Sequence, residues 1–294
     1  MIAHWRDIPI FSIAIGTLVA GKGLKDGKLS MDGALAAFFV GILMLSTSLR
    51  VFGVTLLAFY FIGSRATRVG KKLKVKLEEG EGVGHGQRDA VQVFCNSLPA
   101  FIASLAWRAR LTDSFFSPLF FGPITKIYDP NRTCSLSPDY DWSYVLILIA
   151  LGQFGCSLGD TLASELGILS KSQPILITTL RPVPPGTNGA VSLLGTMVSI
   201  LGGGLIGLTM ATVIFIENSA CRTLGYTPFA KLVVLGLVSG GLGSLLDSLM
   251  GATIQQTLYS KDTKRVLTNE VVVQTAKEVT VIAGRNWLSN NQLS

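Results

Sequence analysis

Charge is what this chain has least of. Lys, Arg, Asp and Glu together make up 15% of its 294 residues, against about 25% in a soluble domain. Long stretches carry none at all, which a soluble core would not need, so the scarcity points away from a water-soluble enzyme and toward a polytopic membrane protein. Histidine is nearly missing, with two in all; one of them, His85, falls in a charged, Gly-rich linker and reads as solvent-facing. No histidine or cysteine is placed to act as a catalytic base. The four cysteines do not dictate a pairing. A basic stripe interleaved with aromatics is also lacking, so the net charge of +7 reads as a topology signal and as affinity for anionic headgroups, with no nucleic-acid partner.

Hydrophobic runs are what the chain has instead. Seven occur, at about 8–21, 33–49, 51–64, 89–106, 143–169, 189–216 and 229–254. A membrane-spanning helix takes about 20 apolar residues, so the first three are short and the fifth and sixth long; the second and third, parted only by Arg50, make a tight hairpin or two spans. The first run lacks a small-x-small cleavage site and reads as a retained span rather than a signal peptide. The expected fold is all-α: a polytopic membrane helix bundle of about seven transmembrane helices, forming one integral membrane domain over 1–294.

Lys and Arg set its orientation. With residues 65–88 taken as a basic cytosolic loop and the sides alternated outward, Arg6, Arg50, Arg108, Arg110, Lys126, Arg132, Arg222 and Lys231 fall outside, and the remaining 17 of 25 fall in the cytosol. The N-terminus is then outside, 107–142 is a lumenal or extracellular loop, and 255–294 is a cytosolic tail. The sequon Asn131-Arg-Thr133 falls on the outer side, as do Cys134 and Cys221, whose bridging is left open. The expected location is an endomembrane or the plasma membrane, with membrane lipids as partners.

Three acids interrupt the apolar runs: Asp160 and Glu165 in the fifth, Asp247 in the seventh. A carboxylate in a membrane span is costly unless paired, metal-bound or facing water, and marks a functional site. All three fall near the cytosolic end of their spans. Arg88, Gln92 and Asn96 open the fourth span from that side at i, i+4, i+8, one helix face. Arg65 and Arg68 close the third there, and Arg181-Pro-Val-Pro-Pro-Gly-Thr-Asn-Gly189 enters the sixth.

Carboxylates beside hydroxyls suit a hard divalent ion such as Mg2+, which prefers oxygen ligands and substrate phosphates. Asp160 with Ser164, and Thr161 with Glu165, are i, i+4 pairs. Asp160 and Glu165 stand about 140° apart on an ideal helix, so both face one ion only if the helix bends. Arg65, Arg68 and Arg88 can grip phosphate oxygens. The turn carrying Thr187, Asn188 and Gly189 offers backbone N–H groups at a helix start. Plainer readings stand beside these: acids bonded to Gln92, Asn96 or backbone; Asn188 as a mere N-cap; Lys71, Lys72, Lys74 and Lys76 as anchors; Gly155/Gly159, Gly203/Gly207 and Gly236/Gly240 as close helix packing.

Four motifs carry a family resemblance: Gly159-Asp-Thr-Leu-Ala-Ser-Glu-Leu-Gly167, Leu176-Ile-Thr-Thr-Leu180 leading to Pro185-Gly-Thr-Asn-Gly-Ala-Val-Ser192, Gly243-Ser-Leu-Leu-Asp-Ser-Leu-Met-Gly-Ala-Thr-Ile-Gln255, and Gln87-Arg-Asp-Ala-Val-Gln-Val-Phe-Cys-Asn96. Together they resemble the transmembrane protein 19 family, which also holds the phytyl-phosphate kinases of plastids and cyanobacteria. The resemblance runs from about Leu29 onward. It implies a kinase of isoprenoid metabolism, a transferase moving phosphate from CTP, or ATP, to an isoprenoid monophosphate. Asp160, Glu165 and Asp247 would be catalytic Mg2+ ligands; Arg65, Arg68, Arg88, Ser164, Thr187, Asn188 and Gly189 would hold phosphates; Gln92 and Asn96 would orient substrate. Family members continue beyond the Asn-Asn pair matching Asn290-Asn291 into a last apolar helix, so this chain is expected to be a shortened member. Two other classes stay open. One is a transporter using the acids as an ion path, against which stand their clustering in one leaflet and the lack of an inverted repeat. The other is a non-enzymatic scaffold.

The charge count makes a prediction. A reporter fused after Lys76 should be cytosolic and one inserted near Asn131 lumenal or extracellular, scored by protease protection. Both on one side would overturn the seven-span arrangement.

Overall fold

The protein is described by a computed structural model over residues 10–69, 78–79, 87–112, 127–137, 142–262, 265–267 and 279–285. The Lys71–Lys76 run, the glycines of the linker with His85, and Asn290-Asn291 lie outside these residues. The architecture is mostly helical. In order come α1 (Ile10–Lys25), α2 (Met31–Leu45), α3 (Val51–Ala66), β1 (Glu78–Glu79), α4 (Ala90–Cys95), α5 (Leu98–Leu111) and α6 (Ser143–Gly167). After these follow β2 (Ile175–Leu176), β3 (Ala190–Val191), α7 (Leu193–Glu217), α8 (Ser219–Arg222), α9 (Thr227–Ile254), β4 (Thr257–Ser260), β5 (Arg265–Leu267) and β6 (Val279–Ala283). Among the described residues, α6, α7 and α9 are long and apolar enough to cross a membrane, while α2 and α3 are apolar but shorter.

Two departures from the expected all-helical pattern have local causes. The fourth apolar run is two helices, not one. Asp89 caps α4 by accepting from the Gln92 N–H at 2.8 Å. The helix then stops at Asn96, and α5 restarts with Pro99 in its first turn. Proline has no N–H to give the preceding turn and is tolerated only at such a start. After α9 the chain turns to strand, with β1-β5-β4-β6 forming one small sheet and β2-β3 another. Val279-Thr-Val-Ile-Ala283 is rich in β-branched residues, which favour a pleated, half-buried surface, and it pairs antiparallel with β4 (Leu258 opposite Val281).

Packing divides the chain into two units, residues 1–60, 87–154 and 204–236 in one and 61–86, 155–203 and 237–294 in the other. In the first, α1 buries Ser12, Gly16, Ala20 and Gly23, a stripe of small residues one turn apart. α2 is capped by Ser30, whose hydroxyl accepts from the Gly33 N–H, and is tied to the start of α4 where the Ala90 N–H donates to Asp32. The core centres on Trp107, fully buried, whose indole N–H donates to Ser143 Oγ at 2.9 Å. A disulfide joins Cys134 and Cys221 across 87 residues of sequence. Next to it the buried Asn218 amide donates to Tyr128 Oη, the Thr133 carbonyl and Ser135 Oγ, while its oxygen accepts from the Cys221 N–H.

In the second unit the helices meet at backbone distance. A methyl added to Gly159 would stand 2.8 Å from the Gly240 Cα and 2.9 Å from the Ser199 carbonyl oxygen. One added to Gly240 would stand 2.4 Å from that same oxygen and 2.8 Å from the Gly203 Cα. Small residues let backbones approach in this way. Gly240→Ala should therefore cost about 1–3 kcal/mol through overpacking, lowering the melting temperature of the detergent-solubilised protein. Gly152→Ala, with nothing within 4 Å of the added carbon, should leave it equal or higher, since alanine is the better helix former. Equal melting temperatures for the two variants would refute the crossing.

Candidate functional site: a polar cavity with a carboxyl pair

The second unit contains a cavity of about 280 Å³. From α6 come Asp160, Ala163, Ser164 and Gly167, spaced i, i+3, i+4, i+7, the signature of a single helix face. From the segment between β2 and β3 come Pro185, Gly186, Thr187, Asn188 and Gly189; from α7 and its approach, Ser192, Gly195, Thr196 and Ser199; from α9, Ser244, Asp247, Ser248 and Gly251; and from just past its end, Gln255. The Asp160 and Asp247 carboxyls lie within hydrogen-bonding reach of each other.

Glu165 does not join them. α6 runs without interruption from Ser143 to Gly167, so the five-residue offset keeps Glu165 off the face that carries Asp160, and it is not among the lining residues. Among the described residues no three His, Cys, Asp or Glu side chains come together around a metal position. Arg65 and Arg68, exposed at the end of α3, do not line the cavity either, and its described lining contains no Lys or Arg.

The turn before α7 is organised differently from a helix start at Asn188. The helix begins at Leu193, and its cap is Ser192, whose Oγ accepts from the Gly195 N–H at 3.1 Å. The Asn188 N–H instead donates to Thr257 Oγ1 at 3.1 Å. Gly186 and Gly189 hold positive φ, 88° and 75°, a region glycine enters freely. A side chain at Gly189 would strike Ala252 and the Ser248 carbonyl, so the turn lies directly on α9.

Four hydroxyls in this wall have committed their protons. Ser164 donates to the Thr161 carbonyl, Thr187 to Pro184, Thr196 to Ser192 and Ser199 to Thr196. Each then presents lone pairs to the cavity, beside two carboxyls. This is an oxygen-rich, acceptor-dominated lining. It fits Mg2+, which takes one or two carboxylates and completes its shell with water and substrate phosphate oxygens. The N-terminal turn of α7 reaches the same cavity through Ser192, Gly195 and Thr196 and adds partial positive charge. Ser192, Thr196, Ser199, Ser244, Ser248 and Gln255 were not singled out from the sequence, although 192/196/199 and 244/248/255 fall at helical spacing; the signal was polar periodicity inside apolar runs.

Arg88, Gln92 and Asn96 do come together, but elsewhere. They line a separate cavity of about 70 Å³ within the first unit, whose other walls are almost entirely hydrocarbon from α1, α2 and α3.

Comparison with known proteins places the chain. The family model described as "Integral membrane protein DUF92" matches residues 14–293. Protein PGR of Arabidopsis thaliana is 32% identical over 290 residues, covering 96% of this chain and 89% of its own length. An uncharacterized membrane protein of Methanocaldococcus jannaschii is 29% identical, covering 89% and 86%. The chloroplastic protein VTE6 of Arabidopsis thaliana is 26% identical, covering 91% and 67%. No solved structure matches. The chain belongs to the DUF92 family of integral membrane proteins, the transmembrane protein 19-like group to which its four motifs point.

Proposed function

We propose that this protein is a prenyl-phosphate kinase-like transferase, passing a phosphate from CTP or another nucleoside triphosphate to a prenyl monophosphate at the cytosolic leaflet. One observation carries the reading: the carboxyl pair Asp160 and Asp247 in an oxygen-lined cavity where apolar helices α6 and α9 meet the turn ahead of α7. The likeness of its motifs to phytyl-phosphate kinases supports it, and so does kinship with a chloroplastic protein. The reading keeps the seven-span arrangement with the C-terminus in the cytosol.

Each group has a task in it. Asp160 and Asp247 would hold Mg2+, with Ser164, Thr187, Thr196 or Ser199 supplying further oxygens. Bound there, the ion would neutralise and orient the donor phosphates, the main demand of phosphoryl transfer. Asn188 and the first turn of α7 would position the phosphate tail, pinned as they are through Thr257 and Ser192. The acceptor monophosphate is already an anionic nucleophile. Its oxygen bonds to the γ-phosphorus as the bond to the β–γ bridging oxygen breaks, and the nucleoside diphosphate leaves. No side-chain base is required, consistent with the lack of a histidine there. Glu165, Arg65 and Arg68 lie off the cavity wall, and the reading does not depend on them.

Asp160→Asn and Asp247→Asn retain size and hydrogen bonding but remove charge. Each should weaken Mg2+-dependent CTP or ATP binding by about tenfold or more, as expected for loss of a charged contact, with membrane insertion unchanged. Titration of purified protein with a fluorescent nucleotide, with and without Mg2+, measures this. Unchanged binding would make the acids structural. Ion flux in liposomes that depends on Asp160, without any nucleotide effect, would favour a transporter.

A further inference from the structure

One motif of the first unit has no part in phosphate transfer. Asn131-Arg-Thr133 is the chain's one Asn-X-Ser/Thr triplet, and its middle residue is not proline. The triplet sits on a corner. Asp129 followed by Pro130 is a turn-starting pair, and the N–H groups of Arg132 and Thr133 close the turn on the Asp129 carbonyl at 3.1 and 3.0 Å. The Asn131 N–H donates to Asp129 Oδ1 at 2.9 Å. Asn131 and Arg132 are exposed at the tip.

Behind the tip the corner is held to α8. The Ala220 N–H donates to the Pro130 carbonyl at 3.1 Å, and the Ser219 hydroxyl donates to Asn131 Oδ1 at 2.7 Å. It is the oxygen of the Asn131 amide that is tied to the protein. The nitrogen, Nδ2, donates to no group among the described residues. Cys134 follows Thr133 directly and is bridged to Cys221. Disulfides form and persist in oxidising compartments, so the bridge favours a lumenal or extracellular corner, independently of the Lys and Arg count.

We propose that Asn131 is an N-glycosylation site, its amide taking an oligosaccharide from a polyprenyl diphosphate carrier on the lumenal side. Nδ2 bonds to the anomeric carbon of the first sugar as the bond from that carbon to the diphosphate oxygen breaks. The lipid diphosphate leaves with the electron pair, and the amide gives up one proton. In the folded turn the Thr133 hydroxyl, which the triplet requires, donates to the Asp129 carbonyl at 2.9 Å. The triplet is therefore open to a transferase only while the turn is unformed, and the finished fold has only to accommodate the product. It does so, because a glycan is bulky and needs surface, which the exposed tip supplies. The glycosylated amide keeps its oxygen for Ser219. The site stands apart from the transfer reading.

The test is gel mobility of the full-length chain made in eukaryotic cells, before and after digestion with peptide-N-glycosidase F. The wild-type band should drop by the single step of one glycan. Asn131→Gln should run at the lower position and be unchanged by the enzyme. Thr133→Val, similar in size but without the hydroxyl, should do the same, whereas Thr133→Ser should keep the shift. Thiol labelling of the unreduced, denatured chains should reach only Cys95 and Cys156 in all four, showing that a lost glycan is not a lost fold. A wild-type chain untouched by the enzyme would overturn the site, as would a shift that persists in Asn131→Gln or Thr133→Val.

Discussion

The polar cavity depends on backbone contact between helices. Gly159, Gly240 and Gly203 bring α6, α9 and α7 so close that a single methyl would collide with main-chain atoms. Asp160 follows Gly159 directly, and Asp247 lies about two turns beyond Gly240. If a larger residue separated these helices, the carboxyls would lose the reach they have to each other, and the hydroxyls on their shared faces would no longer surround one volume. Small-residue packing and the cluster of acids are therefore one design rather than two, since the first sets the distance that the second uses.

The turn ahead of α7 shows the same economy. Gly189 rests against Ala252 and Ser248, Asn188 is held by Thr257 from β4, and Ser192 bonds both to Gly195 and to the carbonyl of Gly167. Three elements fix one short loop. Residues that look from the sequence like a phosphate-binding turn are thus also packing residues. Side chains that return their hydroxyl protons to their own helices leave an oxygen surface that attracts cations, so anionic substrates would enter this cavity together with positive charge.

Much of this was legible in the sequence. Apolar runs marked the helices to within a few residues, because lipid-facing and core-facing positions are both apolar. Asp160 and Asp247 stood out because charge is rare there. The sequence could not say whether α6 would bend, and its unbroken course is what separates Glu165 from Asp160. Arg88, Gln92 and Asn96 line one cavity, a largely apolar one, but not as a single helix face: only Gln92 lies within α4, with Arg88 ahead of the Asp89 cap and Asn96 at the other end. The serines of α7 and α9 were overlooked because serine is common in helices where backbones pack closely. The strands after α9 were read only as tail, since two to five residues of alternation carry little signal beside long apolar runs.

The disulfide and the Asn218 amide act on the same two segments by different means. A covalent link constrains mainly the unfolded chain, whereas Asn218, bonded to Tyr128, Thr133, Ser135 and Cys221, specifies the folded arrangement. The amide needs no oxidant. In the folded chain its hydrogen bonds hold residues 128–135 against α8, so Cys134 is kept beside Cys221 by the amide as well as by the bridge.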